Sequence, residues 1–242
     1  MNKIIIVMLL FLCIGAYAQN QRFSYDYKFV SDSTAKDKSE AELMYLDVSK
    51  KGSKFYNPDK VQYVVEKSYP DYKIYFFNRL DMDEYKISDN RKLDWKILSD
   101  KEKIGEFNAQ KATVKFAGRQ WTAWFTTDIP FQDGPYKFSG LPGLIVKIED
   151  KTNSHSFILK EVKNLKPDEV WISENDKKRF DPLIILNQDK YKKQFIDSRN
   201  NPTKGMRQFM SRGGSVTFTV NGKEVDANKM LHDQEKKQRK IM

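Results

Sequence analysis

The chain has almost none of the residues that enzymes most often use for neutral-pH chemistry. Among 242 residues there are one cysteine and two histidines, Cys13, His155 and His232. This excludes a disulfide framework, a cysteine–histidine zinc site and, once Cys13 is set aside, a thiol nucleophile. No H-E-x-x-H helix and no G-x-S-x-G elbow occurs. After residue 19 no apolar run approaches the roughly 20 residues a membrane-spanning helix needs. Charge is not scarce, but it is not of one sign: 43 Lys and Arg alternate with 33 Asp and Glu, for a net +10. Such interleaving reads as solvated strand and loop surface and not as a nucleic-acid face. The one basic run, Lys236-Lys237-Gln238-Arg239-Lys240, lies in a terminal tail.

The first residues read as an export signal. Lys3 precedes an apolar run from Ile4 to Ile14, and Ala16-Tyr17-Ala18 places small residues at the −3 and −1 positions of a cleavage site. The expected division is a signal peptide over 1–18, one β-rich domain over 19–225 and a charged tail over 226–242, in the periplasm or outside the cell. Cys13 follows Leu12 and so lacks the small residue that a lipidated cysteine normally follows.

Hydrophobic periodicity is mostly of period two. Phe23, Tyr25, Tyr27 and Phe29 share one strand face, and Ser31–Glu40 reads as a polar loop. Strands follow over 41–49 and 53–56. Asn57-Pro58 has the chemistry of a helix start, predicting a short helix through Glu66. Further strands are expected over 72–80, 84–88 and 94–98. Ala117-Gly118 signals a hairpin between 107–116 and 119–126, with Trp121 and Trp124 on opposite faces. A second hairpin crosses Asp150–Ser154. A helix is expected over 188–198, with Tyr191, Phe195 and Ile196 on one side, and a second helix start at Asn201-Pro202. Asn221-Gly222 signals a last hairpin. The fold class is therefore a β-dominated α+β domain: a large, curved antiparallel sheet, in the limit a half-barrel, with a few helices. A β-sandwich is the alternative.

Three glycines and two prolines crowd the window Gly134 to Ile145, GPYKFSGLPGLI. Leu141-Pro142-Gly143-Leu144 has type II turn chemistry, with proline second and glycine third. The hexapeptide Gly140–Ile145 resembles the signature of the GLPGLI family of exported bacterial proteins. Lys103-Ile104-Gly105, Gln110-Lys111-Ala112-Thr113, Gly118-Arg119, Thr122-Ala123-Trp124, Ile129-Pro130, Gly134-Pro135 and Lys137-Phe138 follow the family order across Lys103–Asp150. The resemblance implies export and no particular activity. Where relatives carry a cysteine this chain has an alanine near Ala109, and the family's Asn-Pro-Ile-type ending is absent after Asp226.

Candidate binding residues cluster about this block: Arg119, Trp121, Trp124, Asp128, Lys137 and Phe138, with Arg119 and Asp128 expected to pair as a clamp. Gly134, Pro135, Gly140, Leu141, Pro142, Gly143, Leu144 and Ile145 are expected to shape the loop and plug the core. His155, in the polar stretch Asn153-Ser154-His155-Ser156, reads as a solvated turn residue, and His232 belongs to the tail. Asp81-Met82-Asp83-Glu84 lacks the glycine and spacing of a calcium loop and reads as a turn. No catalytic residue, metal or cofactor is assigned. The expected function is a non-enzymatic envelope protein that binds a partner protein, peptide or lipid-like apolar ligand and assists an outer-membrane or transport system. A secreted hydrolase using a carboxylate pair is the alternative.

Overall fold

Alternating apolar residues place fourteen strands among the residues described by the computed structural model, which are 20–30, 39–60, 63–179, 181–201, 203–220 and 223–226. Residues 1–19, with the expected signal peptide and Cys13, most of the Ser31–Glu40 stretch, Asn221-Gly222 and the residues after Asp226, with His232, lie outside the described residues. The chain divides into two compact units. One runs to Phe77 and resumes over Ser88–Arg179; the other comprises Asn78–Ile87 and the residues from Phe180 onward.

The first unit is built on strands β1 (Gln21–Val30), β2 (Ser39–Ser49), β3 (Gly52–Tyr56), β4 (Tyr63–Ser68), β5 (Ile74–Leu80), β6 (Asp83–Asp89), β7 (Lys96–Ile104), β8 (Phe107–Phe116), β9 (Arg119–Thr126), β10 (Leu144–Asp150) and β11 (His155–Asn164). Its sheet is open and has the order β5-β4-β3-β2-β1-β11-β10-β9-β8-β7. Each described register is antiparallel, with Phe23 opposite Leu46 and Leu46 opposite Phe55. One sheet face carries the core: Phe23, Tyr25, Met44, Leu46, Phe55, Val65, Trp121, Phe125 and Phe138. The β-dominated expectation of one large sheet with few helices matches this architecture, and the sandwich alternative does not.

Asn57-Pro58 does not start a helix. The Asn57 side chain accepts from the amides of Asp59 and Lys60 at 2.9 and 3.0 Å, a local turn that delivers the chain into β4. The β-branched Val64-Val65 pair then extends the backbone, with Val65 and Lys67 buried among the core-face residues.

After β11 the chain runs irregularly over residues 165–179. This strap is fastened at Lys54, whose ammonium donates to Ile172 O at 2.9 Å and Glu174 Oε1 at 2.8 Å. Glu66 accepts from Ser173 Oγ and the Glu174 amide, and Arg179 closes on Glu174 Oε2 at 2.9 Å.

The second unit holds the outer part of the β5–β6 hairpin, β12 (Ile184–Asn187) beside β6, helices α1 (Gln188–Asn200) and α2 (Lys204–Ser211), and the β13 (Thr217–Val220)–β14 (Lys223–Asp226) hairpin. Asn187 caps α1 by accepting from the Lys190 amide. Tyr191 is buried against Tyr85, but Phe195 and Ile196 are exposed, so the apolar face is narrower than the sequence implies. Asp81 and Asp83 turn the hairpin as expected and hold Ser198 and Arg212 respectively.

Candidate functional site

The loop from Thr127 to Gly143 turns back on itself through its own amides. Gly140 N donates to Gln132 O at 2.9 Å, Leu144 N to Ile129 O at 3.1 Å and Ile145 N to Asp133 O at 2.9 Å. Leu141-Pro142-Gly143-Leu144 is not a type II turn. Gly143 N donates to Leu141 O at 2.8 Å, a three-residue γ-turn centred on Pro142. Gly143 has φ +157°, and a Cβ there would stand 2.0 Å from Thr126 O. Glycine is needed for close approach to β9. Gly134 is needed for packing too, since a Cβ would meet the Ile145 side chain at 2.8 Å.

Two buried lysines hold this loop. Lys67, fully buried on β4, donates to the carbonyls of Gly134, Tyr136 and Phe138 at 2.7, 3.0 and 3.2 Å. It also pairs with Asp133 Oδ1 at 2.5 Å. Asp133 in turn accepts from Ser53 Oγ at 2.6 Å, the Gly134 amide at 2.6 Å and the Tyr69 hydroxyl. Burial pulls the Lys67 ammonium below the usual lysine range, against the attraction of Asp133. Lys137 is the second anchor, donating to Asp89 Oδ2 at 2.8 Å. Burial opposes ionisation of Asp89, but Arg91 and Lys137 outweigh it and hold that carboxyl well below its ordinary value.

The six residues expected to form a recognition groove therefore disperse. Phe138 is fully buried, its ring 4.8 Å from Trp121 and 5.6 Å from Phe116. Trp121 lies in the main core, and Trp124 packs on the opposite face with Ala109 and Val146, as the alternation implies. Lys137 is consumed by Asp89. The Arg119–Asp128 clamp does not form: Arg119 reaches across the next hairpin to Asp150 at 2.6 Å. Asp128 is exposed, its amide bonded to Thr126 Oγ1. Leu141, Leu144 and Ile145 are buried in the core. His155 is not a solvated turn residue. It opens β11 half-buried, its Nδ1 2.8 Å from the Tyr27 hydroxyl, and burial and Arg119 lower its pKa.

Tyr136 is a half-buried aromatic of the loop that packs against the edge of the core. Phe138 N donates to Pro135 O at 3.2 Å, closing a turn whose second residue is Tyr136. Tyr136 has φ +54°, a left-handed conformation that only its position in the turn sequence distinguishes from a glycine site. Its half-buried ring joins other half-buried rings: Tyr63 at 5.8 Å, Phe76 at 6.4 Å and, beyond them, the Tyr27–Phe29 stack at 5.0 Å. Lys137 Nζ lies 4.5 Å from the Phe76 centroid and 5.4 Å from that of Tyr136, a cation beneath the aromatic surface. The alternating aromatics of β1 signal part of this face in the sequence. Tyr136 carries no such signal, because its orientation depends on Lys67, in a stretch that reads as the end of a helix.

A family model described as "Protein of unknown function (Porph_ging)" matches residues 115–147. That span contains β9, the clamped loop and the start of β10. Two solved structures of PNGF-II, in C2 and P21 space groups, each align at a TM-score of 0.58 and 20% identity. The alignments cover 75% of this chain and 34% of that one. The chain thus spans about a third of the length of PNGF-II, and the likeness is one of fold. No curated protein matches the sequence. What this chain shares with a known family is the 115–147 segment, the part of the molecule that carries Tyr136.

Proposed function

We propose that this is an exported, GLPGLI-like envelope protein without catalytic activity. Its motif loop presents Tyr136 as part of an aromatic surface that recognises an apolar or aromatic peptide segment of a partner protein. The observation that carries the reading is the left-handed Tyr136 held by two buried lysines. Strain of this kind persists only where the surroundings enforce it, and it concentrates at functional positions. Rigidity lowers the ordering cost of binding, and aromatic rings supply contact area with few rotatable bonds. Tyr27 and Phe29 from β1, Tyr63 from β4 and Phe76 from β5 extend the surface.

A carboxylate-pair hydrolase draws less support. The buried acids Asp47, Asp89, Asp133, Asp150 and Glu174 each already hold a lysine or arginine, and Glu66, whose carboxyl burial pushes up, is taken by Ser173 Oγ and the Glu174 amide. Panning a random-peptide display library on the folded protein tests the binder. Enriched peptides should carry aromatic or apolar residues, and their binding should protect the β1, β4 and Tyr136 amides from hydrogen exchange. Enrichment of no peptide, or protection confined to other segments, would overturn the reading.

A further inference from the structure

The first unit carries a second concavity, of about 670 Å3, between the strap, the β2–β3 turn and strands β4 and β5. This size lies within the range of small-molecule pockets. Its two ends differ in chemistry. At the strap end, where Lys54 pairs with Glu66 across β3 and β4, the wall is Val170, Trp171 and Ile172. Ile172 is 64% exposed, and Val170 37%, an apolar lip with no cover among the described residues. The Trp171 Nε1 donor is buried and has no hydrogen-bond partner among the described residues, so the strap leaves one polar group unsatisfied. At the other end, near the pairing of Gly52 with Ser68, the β2–β3 turn brings Lys50 and Lys51 to the wall. Both are exposed, and neither ammonium has a carboxylate partner among the described residues. Glu66 is occupied by Ser173 and the Glu174 amide. Asp176, on the strap, also lines the cleft.

We propose that this cleft binds a single-chain amphiphile with an anionic head, its chain against Val170, Trp171 and Ile172 and its head at Lys50 and Lys51. The cleft shares with the support of the Tyr136 surface only Lys67, which is fully buried and spent on the loop carbonyls, and the residues proposed for head and chain are distinct from that surface. Head and chain are recognised by separate features. An anion gains from two lysines with no competing internal partner, and an alkyl chain covers the apolar lip.

Dodecanoate below its micellar concentration is the probe, followed by calorimetry and by tryptophan fluorescence. It should bind one per chain and change a fluorescence component that is absent in Trp171→Phe. Lys50→Glu/Lys51→Glu, in an exposed turn, should keep the melting temperature and weaken binding by about tenfold or more. Hexanoate and dodecyltrimethylammonium should bind more weakly than dodecanoate. Equal binding of the cationic amphiphile, or unchanged affinity in the double variant, would overturn the site. So would co-sedimentation with phosphatidylglycerol vesicles without uptake of dodecanoate, which would place the lysines on a membrane surface. Peptides selected on the Tyr136 surface should bind the lysine variant normally, so failure of one site is distinguishable from failure of the other.

Discussion

Lys67 and Asp133 form an ion pair in which neither side chain has any solvent exposure. Sixty-six positions separate them, and their union fastens the motif loop to β4. The lysine satisfies three loop carbonyls as well as the carboxylate, and Asp133 takes Ser53 and Tyr69 in addition. A buried charge is tolerable only with such complete satisfaction.

Removing one partner should therefore be severe. Lys67→Met leaves Asp133 buried without its cation and should cost about 3–5 kcal/mol in urea unfolding. Lys67→Met/Asp133→Asn should recover part of that loss, because the amide carries no charge. A loss below about 1 kcal/mol for the single variant would mean that the pair does not anchor the loop.

The glycines of the motif should separate by mechanism. Gly143→Ala drives a Cβ into the Thr126 carbonyl and should destabilise by about 3 kcal/mol or more, strain and overpacking combined. Gly140, at φ +90°, has no neighbour within 4 Å of the place a methyl group would take, and Gly140→Ala should cost only about 1 kcal/mol. Equal losses in thermal unfolding would contradict the close approach to β9.

Arg119 and Asp150 should couple, and Arg119 and Asp128 should not. A double-mutant cycle on the first pair should give about 1 kcal/mol, held down by the 41% exposure of the arginine side chain. The cycle with Asp128 should give a value near zero. Asp150→Ala should cost more than Arg119→Ala, since Asp150 also accepts from the His155 amide and Thr152 Oγ1.

Acid should loosen the Lys137 anchor. Because the folded pKa of Asp89 lies below its ordinary 3.8, the unfolded chain takes up that proton first. The contribution is fully present above pH 3.8 and is lost as pH falls from there toward the folded value. Asp89→Asn should therefore destabilise most at neutral pH, and the gap from wild type should narrow below about pH 4. A gap independent of pH between about 2 and 7 would show that Asp89 is not held ionised by Lys137 and Arg91.

Most of the sheet is legible in the sequence because period-two alternation is a local signal. Phe23 to Phe29, the Trp121/Trp124 opposition and the Ala117-Gly118 turn need no long-range information. β4 is not legible: Asn57-Pro58 carries the local chemistry of a helix start, and pairing with β3 overrides it. The same local signal hides Lys67, since a lysine beside Glu66 on a helix would be solvated. The site residues are obscured for a related reason. Lys137 and Phe138 look available in a glycine-rich loop, but whether a side chain there points in or out depends on Asp89, Lys67 and Trp121, none of them close in sequence. Arg119 pairs with Asp150 and not with the nearer Asp128 because the β10–β11 hairpin, not the loop after β9, returns beside it.

If the clamped loop exists to present the Tyr136 ring, Tyr136→Gly isolates that role. Glycine accepts φ +54° without strain, so the backbone of the loop and its bonds to Lys67 remain while the ring is removed. The deciding quantity is the calorimetric Kd of a library-selected peptide for wild type and for Tyr136→Gly, alongside the melting temperature of each. The melting temperature should fall only part way, because the ring also packs on Tyr63, Phe76 and Phe138, and in the still-folded variant the Kd should weaken by about thirtyfold or more, as for loss of an interface hot spot. An unchanged Kd in the folded variant would refute the presenting role and leave the motif as scaffold alone.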